Sequence, residues 1–159
     1  MRARDIMTHE VISIRPDASI HDAAQLLSGY NISGAPVLTD DKQMVGIVTE
    51  ADLIGKTGKT VGDILTERVV SVREETPVEE IAQILTLNRF KRVPVLRGER
   101  VVGIVSRADI VRMMASRWIC PVCGAQSPGH APVACESCGA DGAHFEREVS
   151  PRMEITSRQ

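Results

Sequence analysis

No cysteine occurs in the first 119 residues of this chain; all four lie between Cys120 and Cys138. Disulfides are therefore excluded from most of the molecule. No run of about 18 apolar residues is present to span a bilayer, and Met1-Arg2-Ala3-Arg4-Asp5 does not lead into the apolar core of a signal peptide. A cytoplasmic location without membrane association is expected, and in a reducing cytosol the clustered cysteines favour a metal site over disulfides. Charge of one sign is not in excess either. The formal net charge is -2, with acidic and basic residues interleaved, so there is no broad field to capture nucleic acid or an anionic membrane, and any bound anion must be held locally. The sequence shows no P-loop, no pairing of nucleophile with base and no open metal site, which leaves no catalytic residue to name and makes an enzyme the weakest reading.

What is present is apolar material, 43% of 159 residues, sufficient for a globular domain and a small appendage. It is arranged as a duplication. Asp5-Ile6-Met7-Thr8 returns as Asp63-Ile64-Leu65-Thr66, and Ala35-Pro36-Val37-Leu38 returns as Val93-Pro94-Val95-Leu96. At an offset of 58, residues 5–38 lie over 63–96 without a gap, with 12 of 34 pairs identical. One residue is then dropped from a turn, and Gly46-Ile47-Val48-Thr49-Glu50-Ala51-Asp52 lies over Gly103-Ile104-Val105-Ser106-Arg107-Ala108-Asp109. A duplicated unit of this size implies half-modules packed about a pseudo-twofold axis, with clefts that come in pairs.

Within each repeat the order reads β-α-β-β-α, an α+β fold. Val11-Ile12-Ser13-Ile14 is a β-branched run closed by Arg15-Pro16-Asp17, a strand. Ile20, Ala23, Ala24 and Leu27 follow at helical spacing. Residues 32–38 and 44–48, joined by the polar turn Thr39-Asp40-Asp41-Lys42, form an antiparallel hairpin, and Ala51-Asp52-Leu53-Ile54 opens a second helix. In the second repeat Thr76-Pro77-Val78-Glu79 predicts a capping box, with the apolar stripe Val78, Ile81, Ala82 and Leu85 behind it. Residues 55–60 read as a linker with no function of its own, and Ile110, Val111, Met113 and Met114 predict a last helix reaching about Trp118. The expected boundaries are 1–58 and 59–117 for the repeats, 118–145 for a cysteine-bearing ribbon and 146–159 for a tail or edge strand.

The β-α-β-β-α order, the Ala-Pro-Val strand and the Gly-apolar-apolar-Thr/Ser-x-x-Asp close of each unit resemble a tandem pair of CBS domains, often called a Bateman module, over residues 1–116. That resemblance implies a non-catalytic regulatory module that binds adenosine-containing ligands (AMP, ADP, ATP, a dinucleotide or S-adenosylmethionine) in one or both of two clefts and commonly forms a homodimer. Carried over residue by residue, cleft one combines Thr49 and Asp52 with Leu65, Val70, Lys91, Arg92 and Val93. Cleft two combines Ser106, Arg107 and Asp109 with Met7, Ile12, Ser33, Gly34 and Ala35. Thr49 and Ser106 would place hydroxyls and backbone N–H groups where a strand hands over to a helix, a position that suits phosphate. Asp52 and Asp109 would accept hydrogen bonds from a ribose, and Met7, Ile12, Leu65 and Val70 would line adenine slots. Lys91 and Arg92 make cleft one the preferred phosphate site, whereas cleft two, with Arg107 alone, suits a less anionic adenosyl ligand or none. Two plainer readings stand beside these. Thr-x-x-Asp and Ser-x-x-Asp at a helix start are also capping boxes that need no ligand, and the apolar residues are equally ordinary core.

Cys120-Pro121-Val122-Cys123-Gly124 and Cys135-Glu136-Ser137-Cys138-Gly139 are paired Cys-x-x-Cys knuckles. Each tight turn points sulfurs at one centre, and the following glycine accepts the twist while freeing N–H groups for sulfur. The segment resembles a zinc ribbon or rubredoxin-type knuckle pair, which implies structural zinc on Cys120, Cys123, Cys135 and Cys138, with iron as runner-up and disulfides third. Four thiolates close the coordination sphere, so metal substitutes for a core rather than catalysing. His130 and His144 read as surface residues.

The leading expectation is a nucleotide-binding regulator whose ribbon contacts an unidentified protein partner or stabilises a dimer. Electron transfer through an iron ribbon is one alternative. A nucleic-acid-binding ribbon tuned by the repeats is the other, and it is disfavoured because residues 118–159 hold three Arg and no Lys against five acids.

Overall fold

A computed structural model describes residues 1–129 and 131–148. The chain forms two compact units, Met1–Arg107 and Ala108–Gln159.

The first unit opens with α1 (Ala3–Ile6) and α2 (Ile20–Gly29), then the strands β1 (Gly34–Leu38) and β2 (Met44–Thr49), and α3 (Glu50–Gly55). The second repeat follows as α4 (Val61–Ile64), β3 (Val72–Arg73), α5 (Val78–Leu87), β4 (Arg92–Arg97) and β5 (Arg100–Ser106), with α6 (Arg107–Ala115) after it. β1 and β2 pair antiparallel with Gly34 opposite Thr49, and β4 and β5 pair antiparallel with Arg92 opposite Ser106. Both hairpins carry a register shift at the same repeat position, Val37/Leu38 and Val95/Leu96.

The pseudo-twofold relation is written in hydrogen bonds. Ala3 N donates to Thr76 O and Arg4 N to Glu74 O; one repeat later, Val61 N donates to Ala18 O and Gly62 N to Pro16 O. Thr8 bridges Ile104, and Thr66 bridges Ile47. Each repeat therefore lends its opening segment to the other. Val61 and Ile64 of the second repeat are buried with Ala23, Val37 and Val48 of the first, and deleting Ile64 to alanine would cost about 2–5 kcal/mol.

Local signals explain most elements. In α2, Ser19 accepts from Asp22 N at 3.0 Å while Asp22 accepts from Ser19 N at 3.2 Å, a capping box. Ala23 and Leu27 are its buried residues, and Ala24 of the expected stripe is exposed. The box expected at Thr76 does not form. Pro77 is the N-cap without a side-chain bond, because the Thr76 hydroxyl accepts from Arg73 N at 3.0 Å in the preceding turn. The expected strand at residues 11–14 is reduced to one parallel bridge, Ile14 to Val37. Both principal helices end with a residue in the left-handed region, Asn31 (φ 51) and Arg89 (φ 55), at equivalent repeat positions.

In the second unit α6 stops at Ala115, short of the expected end, and Trp118 belongs instead to β6 (Arg117–Ile119). β6 pairs antiparallel with β7 (Gln126–Pro128) on one side and β8 (Glu146–Glu148) on the other. The start of the expected tail is thus an edge strand; its remainder lies outside the described residues. Cys120, Cys135 and Phe145 are the buried centre, flanked by Trp118, Ala125 and Ala140. That is too little apolar surface to hold a fold by burial alone.

Candidate functional site

β2 delivers Thr49 to the start of α3, where its hydroxyl accepts from Asp52 N at 3.3 Å and donates to Asp52 Oδ2 at 2.9 Å. Thr49 N donates to the same oxygen at 2.9 Å. The other oxygen, Oδ1, accepts from Thr66 Oγ1 at 3.1 Å and pairs with Lys56 Nζ at 2.7 Å. Asp52 is thereby only 5% exposed yet fully partnered. Burial works against its charge, but the hydrogen bonds from Lys56, Thr49 and Thr66 outweigh it and hold the carboxyl below its ordinary value. Lys56, from the segment expected to be an idle linker, also donates to Ile64 O at 3.0 Å.

In front of Thr49 and Thr66 lies a cavity of about 370 Å³ walled by both repeats. Thr49, Val70, Lys91 and Arg92 of the expected cleft-one set line it. Asp52 stands one layer behind, in contact with two lining threonines. Leu65 is half-buried against the first repeat's core, and Val93 is fully buried in β4; neither is among the lining residues. Ser33 and Gly34, expected in cleft two, line this cavity instead, because the β1–β2 register places Gly34 against Thr49.

Four cationic side chains face the cavity, Arg68, Arg89, Lys91 and Arg92, against one carboxylate, Glu50. With α3 only six residues long, attraction for an anion rests on these cations rather than on a helix end. Arg92 Nε is buried and has no hydrogen-bond partner among the described residues. A buried, unpaired guanidinium nitrogen is costly unless something completes it. Val69, Val70 and Phe90 add apolar wall. Sequence reasoning missed Arg68, Thr66, Arg89 and Phe90; the run Arg89-Phe90-Lys91-Arg92 was the available signal for the last two.

Of the remaining cleft-two set, Ser106 ends β5 and Arg107 donates through Nη2 to Leu85 O at 3.1 Å. Met7 is buried, with its Sδ where a Cβ on Gly103 would fall within 2.5 Å. Ile12 is half-buried and Ala35 is core. Asp109, in the second unit, is buried and accepts from Arg112 Nη2 at 3.1 Å.

The four cysteine sulfurs lie within 4.8 Å of one another. Cys120 and Cys138 are 3.7 Å apart, and Cys123 and Cys135 are 3.6 Å apart. Sulfurs bound tetrahedrally at about 2.3 Å from one metal would be about 3.8 Å apart, so the donor set fits a metal ion. Turns closed by Gly124 N to Cys120 O and Gly139 N to Cys135 O shape the knuckles, with both glycines at positive φ, 74 and 75. The N–H of Cys138, followed by that of Ser137 and the neighbouring thiols, brings the Cys135 thiol down to about 7 against the opposing effect of burial. The Ala140 N–H favours the Cys138 thiolate, but Cys123, burial and the other thiols push Cys138 up to about 12. Negative charge is thus shared unevenly among crowded sulfurs, a load that a divalent cation would neutralise. His144 is exposed at the end of a 3-10 turn, and His130 lies outside the described residues.

Comparison with known proteins bears on the family and the fold. Among curated proteins, inosine-5'-monophosphate dehydrogenase of Methanocaldococcus jannaschii is 32% identical over 114 residues, 70% of this chain and 23% of that enzyme. The chain spans less than half the length of the curated relatives it matches first. Among solved structures, CBSX2 of Arabidopsis thaliana in complex with AMP is 31% identical with a TM-score of 0.67, covering 70% of this chain and 93% of that one. The CBS domain pair of protein MJ0100 in complex with 5'-methylthioadenosine and S-adenosyl-L-methionine is 32% identical with a TM-score of 0.64, covering 70% and 94%. The CBS domain model matches residues 3–57 and again 61–116, and the chain therefore belongs to the CBS domain family, carrying the domain twice in tandem.

Proposed function

We propose that this protein is a non-catalytic regulatory module that binds a phosphate-bearing adenosine ligand in the cavity in front of Thr49. One observation carries the reading: a cavity between repeats with an excess of cations, in which Arg92 Nε is buried without a partner. Phosphate would complete Arg92 and draw on Lys91, Arg68 and Arg89. The apolar wall of Val70 and Phe90 offers a base its surface, and Asp52 accepts ribose hydroxyls once a ligand displaces Thr66 or Lys56 from its Oδ1. Relatives bound to AMP and to S-adenosyl-L-methionine support an adenosine moiety. Regulation further requires that the ligand favour one arrangement of the repeats over another. The position related by the pseudo-twofold, around Ser106 and Ile12, takes a less anionic adenosyl ligand. No described helix is long and apolar enough to cross a membrane, and we place the protein in the cytoplasm as a homodimer.

The cysteine cluster holds structural zinc in this reading, since four thiolates leave no open position for chemistry. Zinc analysis at one ion per chain supports it, and visible thiolate-to-iron absorbance that bleaches on reduction overturns it in favour of iron. The nucleotide reading is tested by calorimetric titration of metal-loaded protein with AMP, ADP, ATP and S-adenosylmethionine, repeated with Asp52→Ala. Heat of binding that is absent for every ligand, or unchanged in the variant, leaves Asp52 only its capping role.

A further inference from the structure

A second cavity, of about 230 Å³, lies in the first unit between the 9–15 segment and the β1–β2 turn. It shares no lining residue with the cavity in front of Thr49 and none with the residues expected for the adenosine clefts. Its polar lining is His9, Ser13, Arg15, Thr39 and Lys42, three basic side chains and two hydroxyls, with no carboxylate among them.

Two of the basic groups are partly spoken for. Arg15 pairs with Asp17 at 3.0 Å and with Asp40, and His9 lies in the field of Glu74, which is itself held by Arg97 at 2.7 Å. Lys42 differs: no carboxylate pairs with it among the described residues. Its backbone is also in the left-handed region, φ 60. The hairpin turn of the second repeat is one residue shorter, and its positive-φ residue, Gly98 (φ 64), lies over Asp40 or Asp41 rather than over Lys42. The hydroxyl of the half-buried Ser13 likewise has no partner within the described protein. Behind these polar groups, Leu38 and Val101 are buried and give the cavity an apolar floor.

We propose that this cavity is a second anion site that takes the phosphate group of a small ligand, with Lys42 as its principal cation and Ser13 and Thr39 as hydroxyl partners. The unpaired Lys42, the partly paired Arg15, the imidazole of His9 and two hydroxyls suit a tetrahedral anion with several acceptor oxygens. The volume beyond the phosphate leaves room for a short apolar body against Leu38 and Val101. Because Val101 N donates to Lys42 O at 3.3 Å, an occupant here would tie the hairpins of the two repeats together.

The test is an amide-resolved NMR titration of the full metal-loaded chain with inorganic phosphate and, separately, propyl phosphate. Shifts centred on Ser13, Ile14, Thr39 and Lys42 are expected. Lys42→Gly removes the cation and suits the positive φ, so its thermal midpoint should hold or rise while phosphate affinity falls at least about tenfold; Arg92→Ala should leave these shifts unchanged. Tighter binding of propyl phosphate identifies a phosphorylated small molecule as the occupant, and tighter binding of inorganic phosphate identifies the free anion. Shifts confined to residues around Thr49, no saturable shifts at all, or full affinity in Lys42→Gly overturn the proposal.

Discussion

The carboxylate of Asp52 and the ammonium of Lys56 meet at 2.7 Å across one turn at the end of α3. The same ammonium reaches Ile64 O at 3.0 Å, so a residue at the end of the first repeat is fastened to the opening helix of the second. Lys56→Met should cost about 1 kcal/mol, at the low end for a charged hydrogen bond because the lysine is itself half exposed. The variant's urea midpoint against wild type measures it. An unchanged midpoint would mean that Thr49 and Thr66 alone satisfy the buried carboxylate.

Acid should weaken the fold partly through Asp52. Its carboxyl is held below the ordinary 3.8 in the folded chain. Such a group contributes stability that is full above the unfolded value and is lost as pH falls through the folded one. The loss should therefore begin below about pH 4 and continue downward. Asp17, Asp22, Asp63 and Glu74 are lowered too, so the informative quantity is a difference. Asp52→Asn should lose less stability than wild type between pH 5 and pH 3, measured by urea unfolding at each pH; parallel curves would remove Asp52 from the acid response.

How much of this was legible depended on whether the signal was local. The repeat offset, the Pro36 and Pro94 strands and the cysteine knuckles are contiguous in sequence, and each lies where its pattern placed it. Thr76 failed because its hydroxyl had a nearer donor in Arg73 N, a competition within one turn that spacing does not rank. The 11–14 run kept its β-branched character, but only Ile14 of it pairs, with Val37. Ser33 and Gly34 joined the cavity in front of Thr49 through a strand register, and Thr66 reached Asp52 across 14 positions. Such placements are set by long-range pairing, which no window of sequence displays.

Glycine at two equivalent positions should respond unequally to alanine. A Cβ on Gly46 would fall 2.6 Å from Leu65 Cδ1 and 2.7 Å from the backbone oxygen of Thr66. That oxygen accepts from Ile47 N, in the exchange between repeats, and cannot yield without breaking it. A Cβ on Gly103 would meet Met7 at Sδ, 2.5 Å, and Cγ, 2.8 Å, and an unbranched methionine can rotate away. Gly46→Ala should cost about 2–3 kcal/mol and Gly103→Ala about half as much. Chemical denaturation of both variants gives the ratio; equal losses would mean that Met7 is as fixed as the backbone.

Trp118 is the only tryptophan of the chain, and it packs on the buried Cys120, Cys135 and Phe145. Fluorescence excited at wavelengths that Tyr30 does not absorb therefore reports on the ribbon alone. Structural zinc contributes on the order of 10 to 16 kcal/mol in small finger peptides, and a metal bound by the four cysteines would supply what the small described core lacks. Chelation, or Cys135→Ser, should shift the emission of Trp118 to the red, and restoring zinc to the chelated protein should reverse it. Emission indifferent to metal removal would show that the strands beside Trp118 hold without an ion.

Arg92 offers a way to separate phosphate recognition from recognition of the rest of a nucleotide. Its Nε is buried without a partner, so the ligand-free protein gives up no hydrogen bond from that atom when the side chain is removed. Arg92→Ala should therefore leave the thermal midpoint of the ligand-free chain unchanged or higher. With AMP the same variant should lose about 1.5–3 kcal/mol of binding, a factor of roughly ten to a hundred and fifty, as expected for a hydrogen bond to a charged group. Adenosine, which lacks the phosphate, should bind wild type and variant alike. Calorimetric titration of both proteins with both ligands gives the comparison, and an equal loss for adenosine and AMP would place Arg92 against the base or sugar and leave the phosphate to Lys91 and its neighbours.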